Sequence, residues 1–180
     1  YAGENGVAAY GVLMYVSMIF AAVFIGYSMG SAPVTGYHYG AENHAELKSI
    51  LRKSLGIISI FSVAMFALGE GLAYPLTRLF VGYDKALMEL TLRGFVLFSF
   101  SFLFFGISIY GSSFFTALNN GPVSALISFL RTMVFQVAAV LLLPRIWDID
   151  GIWLSIVAAE VMAVLVTAAL LVLKRKKYHY

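Results

Sequence analysis

Two stretches of this chain, Asn5 to Ala41 and Gly94 to Leu130, contain no Asp, Glu, Lys or Arg. A helix needs about 20 apolar residues to cross a hydrocarbon core of roughly 30 Å. Each stretch is therefore long enough to span a bilayer and leave polar ends. Hydrophobic residues make up 61% of the chain and charged residues 12%, against about 25% charged in a soluble domain. A soluble fold of 180 residues has too little interior for that much apolar surface. The expected fold is all-α, a polytopic membrane bundle whose first partner is lipid. The net charge of +3 then reports helix ends rather than nucleic-acid binding. With no cysteine there is no disulfide framework and no thiol chemistry.

Apolar length and the punctuation of Gly, Pro, Asn and charge predict five spans, near 7–33, 52–76, 92–117, 122–144 and 151–173. The longest linker is residues 37–50, with shorter ones at 79–90 and 144–151. Asn119-Asn120-Gly121-Pro122 reads as a tight turn, Gly supplying a positive φ and Pro the first turn of the next helix. Lys48, Arg52, Lys53, Arg131 and Lys174 to Lys177 fall on one side of these spans; Arg78, Lys85, Arg93 and Arg145 fall on the other. The positive-inside rule makes the first side cytoplasmic, with the C-terminus inside a cell membrane and Trp147 and Trp153 at the outer interface. The chain opens Tyr1-Ala2-Gly3-Glu4, without Met or a basic leader, and is expected to be a fragment that starts in a loop of a longer protein.

Span one closes on Ala32-Pro33-Val34-Thr35-Gly36-Tyr37-His38-Tyr39-Gly40-Ala41. Pro33 is expected to bend or end the helix. Gly36 and Gly40 permit close approach, Tyr37 and Tyr39 are interfacial in type, and Gly26-x-x-x-Gly30 has helix-contact spacing. A second stretch runs from Gly111-Ser112-Ser113-Phe114-Phe115-Thr116 through Asn119-Asn120-Gly121 to Ser124-Ala125-Leu126-Ile127-Ser128-Phe129-Leu130-Arg131. Leu143-Pro144 and Asp150-Gly151-Ile152-Trp153 follow, with Glu160 beyond. This collinear series resembles the second half of the multidrug and toxic compound extrusion (MATE) transporters. That family has twelve helices in two lobes. The resemblance implies spans eight to twelve, an N-terminal lobe missing from this chain, and an organic-cation or drug substrate exported by antiport against H+ or Na+. No other cofactor is expected. A lipid-linked oligosaccharide flippase of the same superfamily is the runner-up, but it needs a cationic cavity that these spans scarcely offer. A scaffold subunit is the alternative from outside transport.

Ionisable groups at membrane depth are costly, about 2.5–3.5 kcal/mol at a helix centre, and usually functional. Glu160 lies nine residues into span five, roughly 14 Å deep at 1.5 Å per residue. Trp153, Ala163 and Thr167 share its face. It is a candidate for cation coupling or gating, or for a hydrogen bond to a neighbouring helix. Glu70 precedes Pro75, where the helix is expected to end; it reaches headgroup water or pairs with Arg78. Arg131, one to two turns into span four, snorkels to the interface or holds an acidic partner at a gate. Ser101, Ser108 and Ser112 form a stripe with Tyr110 nearby. They line a polar cavity or bond their own i−4 carbonyls. Phe95, Phe98, Phe100, Phe102, Phe104 and Phe105 supply lipid-facing bulk or an aromatic cavity wall. Family members that bind the cation through a carboxylate on the span before the Asn-Asn-Gly-Pro turn have no counterpart here, because that span has no acid after Arg93. His38, His44 and His179 are too scattered for a metal site. No nucleophile–base pair or P-loop is visible, so an enzyme is not expected.

Overall fold

A computed structural model describes residues 2–180 as a helical bundle. Helix α1 is Gly3–Gly40 and α2 is His44–Val81. Helices α3 (Lys85–Ser99) and α4 (Phe102–Ala117) form a pair bent by 50°. Helix α5 (Gly121–Phe129) passes through a π-helical segment, Leu130–Phe135, into α6 (Gln136–Leu142). Helix α7 is Pro144–Tyr178. Four helical segments, α1, α2, α5 through α6, and α7, are long and apolar enough to cross a membrane, and the bent α3–α4 pair is so when taken as one span.

The helices are longer than apolar length alone predicts, and the linkers shrink accordingly. The expected polar loop at 37–50 reduces to Ala41-Glu42-Asn43. Glu42 takes a left-handed φ of 55°, and Asn43 accepts a hydrogen bond from the Glu46 amide at 3.2 Å to start α2. Linker 79–90 reduces to residues 82–84, where Asp84 caps α3 by accepting from the amides of Ala86 and Leu87. Side-chain acceptors of this kind satisfy amides that the first helical turn leaves open. Polar residues had suggested loops, but here they decorate helix ends that run on past the hydrocarbon.

Neither proline ends a helix. Pro33 lies inside α1 and Pro75 inside α2. Membrane helices tolerate proline where hydroxyls and neighbouring helices take up the freed backbone groups. Near Pro33, Ser31 donates to the Ser28 carbonyl and Thr35 to that of Ser31. In the Asn-Asn-Gly-Pro turn the positive φ belongs to Asn119 (56°), not to Gly121, and Asn120 caps α5. At the start of α7, the expected linker 144–151 is a helical turn broken at Trp147 and Asp148, with Asp148 at φ 47°.

Helix α4 is central and touches α1, α2, α5 and α7. Its glycines make this possible. A Cβ on Gly106 would sit 2.5 Å from the Phe24 ring and 2.7 Å from Ile58, and one on Gly111 would collide with Thr167. Gly26 and Gly30, by contrast, face open space. One core cluster gathers Leu13, Phe20, Phe95, Phe98, Phe102 and Trp153; a second gathers Phe24, Ile58, Tyr110, Phe114, Phe115 and Leu118. Phe95, Phe98 and Phe102 are thus interior rather than lipid-facing, because the bent pair runs through the middle of the bundle. Trp153 is also interior, stacked on Tyr10 at 6.3 Å, while Trp147 remains exposed. The outer shell carries many exposed Val, Ile, Leu, Met and Phe side chains, as a lipid-facing surface requires.

Candidate functional site

Arg131 and Glu160 meet inside the bundle. Arg131 Nε donates to both carboxylate oxygens of Glu160, at 2.8 and 3.0 Å, and Nη2 lies 2.8 Å from Oε1 in the same ion pair. Arg131 is ten residues from the start of α5 and eleven from the end of α6, about 15 Å from either end. The pair therefore lies near mid-membrane. Arg131 does not snorkel: its guanidinium covers the Phe105 ring at 4.6 Å. Fork-shaped pairing with a carboxylate and stacking on an aromatic face are what a guanidinium does well. Glu160 is 5% exposed and shares its buried face with Trp153, Ala163 and Thr167.

The π-helical segment begins beside this arginine, at Leu130. Such segments interrupt the regular α register and recur at functional sites. Sequence periodicity carries no mark of it, because LRTMVF is apolar enough for any helix.

A groove of about 500 Å³ opens beside the pair, between α1, α4 and α5. Ser28, Phe105, Ser108, Ser112, Ser128 and Arg131 are among its lining. On the loop side, Ser112 contacts the hydroxyls of Ser124 and Ser128 at 2.9 Å each, and Thr116 donates to Ser124 at 2.7 Å. These residues repeat every three or four positions on two adjacent helices, so they form one polar seam. Ser28 and Ser108 are buried, and neither hydroxyl has a hydrogen-bond partner.

Of the expected cavity residues, Ser108 and Ser112 line this groove. Ser101, also without a partner, lies at the α3–α4 break, and Tyr110 sits in the core between Tyr27 and Phe114; neither lines it. Glu70 is on α2, eleven residues before its end, with Oε1 buried and unpartnered. It makes no ion pair with Arg78: among the described residues the pairs are Arg131–Glu160 and Arg93–Asp150. Because Pro75 does not end the helix, Glu70 lies deeper than a helix-end reading places it. At the far end, Tyr39 packs on Tyr178 at 5.7 Å, and Asn120 donates to the Tyr178 hydroxyl at 2.7 Å. Tyr37 is exposed, a Cβ on Gly40 would meet open space, and one on Gly36 would just reach the Ala117 carbonyl. Sequence reasoning missed Ser124 and Ser128 as partners of Ser112, although their i, i+4 spacing one turn before Arg131 was a usable signal.

A profile of the MatE family matches residues 1–142. Comparison with curated protein sequences gives no significant match. Among solved structures, an outward-facing multidrug resistance MATE family transporter of the MOP superfamily superposes with a TM-score of 0.92 at 20% identity. The match covers 98% of this chain and 40% of that one. The Vibrio cholerae MATE transporter VcmN in its bent form gives 0.87 at 19% identity, over 98% and 41%. A MOP superfamily transporter from Pyrococcus furiosus, for which reverse polarity of the binding pocket suggests a different function, gives 0.90 at 20%, over 99% and 40%. The chain thus spans about two fifths of the length of the structures it resembles.

Proposed function

This chain belongs to the MatE family, and on that footing we propose that it is the greater part of one lobe of a secondary active transporter. The observation that supports the reading best is the Arg131–Glu160 pair bordering a hydroxyl-lined groove at mid-membrane depth. Secondary transporters hold substrate near the midplane between two lobes and expose it alternately to either side. The groove is one wall of such a cavity; the second wall belongs to the missing lobe of the same chain. The coupling ion is H+ or Na+, and the exported solute is a drug-like organic cation, as the family resemblance implies.

Glu160 is the proposed coupling carboxylate of this lobe and Arg131 its gate. While the pair is closed, α5 and α7 are locked together at mid-membrane. A proton or cation competing for the carboxylate weakens that lock and lets the helices move apart. An ion shifts the equilibrium only as far as its affinity differs between the two packings. The end bearing Lys48, Arg52, Lys53 and Lys174 to Lys177 is assigned to the cytoplasm of a cell membrane. The test is export of ethidium by the full-length protein in proteoliposomes under an imposed H+ or Na+ gradient. Saturable, gradient-dependent export supports the reading, and movement that ignores both gradients contradicts it.

A further inference from the structure

The chemistry of the groove points to a substrate feature beyond a positive charge. Among the described residues Arg131 is the one charged member of its lining; Glu160, which pairs with the guanidinium, is not part of it. A guanidinium has five N–H donors. Glu160 accepts the Nε hydrogen, and Nη2 lies 2.8 Å from Oε1, while the two Nη1 hydrogens have no partner among the described residues. Arg131 retains 17% side-chain exposure. Close by, Ser112 and Ser128 bring further hydroxyls to the lining. Ser28 and Ser108 add two buried, unpartnered hydroxyls on the flanking helices. Buried donors without acceptors are costly and are normally matched by a partner. The rest of the lining is apolar: Ala21, Ile25, Met29, Ile109 and Phe105.

We propose that this groove binds an oxyanion, a carboxylate, sulfonate or phosphate ester, carried on an apolar body, with the free edge of Arg131 as its donor. The planar fork of arginine suits such groups, and 500 Å³ accommodates a drug-sized apolar body. The proposal rests on the transporter reading and deepens it: the solute carries an oxyanion, whatever cationic group it also bears. The proposal makes Glu160 a competitor of the substrate's anionic group for Arg131. Loss of the Glu160 charge then strengthens oxyanion binding, and loss of the Arg131 charge weakens it.

The test is equilibrium binding of naphthalene-2-sulfonate and of 1-methylquinolinium, bicycles of matched size and opposite charge, to the purified full-length protein. Arg131→Gln is expected to weaken sulfonate binding about tenfold or more, and Glu160→Gln to tighten it severalfold. The quinolinium should show neither effect: Arg131→Gln should not weaken its binding, and Glu160→Gln should not tighten it. The double variant Arg131→Gln/Glu160→Gln leaves no unpaired buried charge, so it guards against misfolding; it should bind sulfonate as poorly as Arg131→Gln. Equal sulfonate binding by the parent and the double variant overturns the proposal. So does weakening by Glu160→Gln and Arg131→Gln alike, which would mark a merely structural pair. Binding is read without any gradient, so failure of ion-coupled export leaves this result standing, and the reverse also holds.

Discussion

Removing both halves of the Arg131–Glu160 pair should cost far less than the two single removals added together. In Arg131→Gln the Glu160 carboxylate, 5% exposed, loses the donors that contact it at 2.8 and 3.0 Å. Breaking a buried pair from one side costs about 3–5 kcal/mol, because the remaining charge is uncompensated. Glu160→Gln should cost less, about 2.5–3.5 kcal/mol on insertion scales, since Arg131 keeps the Phe105 face and an opening to the groove. In the double Gln variant no buried charge remains, and two amides can bond one another across α5 and α7. We expect it to be about as stable as Arg131→Gln alone, well short of the summed single losses, with a coupling energy of about 2–3 kcal/mol. The assay is a double-mutant cycle on the full-length protein in mixed micelles, unfolding titrated with SDS and followed by far-UV circular dichroism. Additivity within about 0.5 kcal/mol would refute the reasoning, because a fork-shaped pair this deep cannot be energetically silent.

Gly106→Ala should destabilise the bundle by about 1–3 kcal/mol, read in the same titration, because its Cβ would meet the Phe24 ring at 2.5 Å and Ile58 at 2.7 Å. Gly26→Ala, with open space around it, should be near neutral. Tyr178→Phe removes the acceptor of the Asn120 amide at 2.7 Å and should cost about 1 kcal/mol. Cysteine introduced at Asn43 should resist a membrane-impermeant maleimide added outside intact cells, and cysteine at Asp84 should react; equal labelling contradicts the assigned orientation.

The spans were legible in the sequence because hydropathy in lipid is nearly a one-body property. Their ends were not. Residues 37–50 and 79–90 are polar, which says that they meet water but not that they stop being helical. Pro33 and Pro75 looked like terminators only if the surrounding hydroxyls and helices were ignored. Facing was harder still. Phe95, Phe98 and Phe102 are as apolar as any lipid-facing residue, and only the packing of the bent α3–α4 pair turns them inward. Glu160 and Arg131 stood out individually as charges inside apolar runs. Their partnership did not, since nothing local joins residues twenty-nine positions apart on different helices. The π-helical segment at Leu130–Phe135 left no compositional trace at all.

Glu160 is proposed to couple an ion gradient to movement of this lobe. That coupling is tested most directly by the initial rate of gradient-driven ethidium export from proteoliposomes holding the full-length parent or its Glu160→Gln variant. The two are matched for folded protein by the cooperative SDS transition. The variant keeps the shape of the side chain and removes its charge and its titration. The account predicts a loss of about tenfold or more in gradient-driven rate, equivalent to at least 1.4 kcal/mol, with the folded fraction unchanged. Export by Glu160→Gln at the parent's rate, under the same gradient, would contradict it.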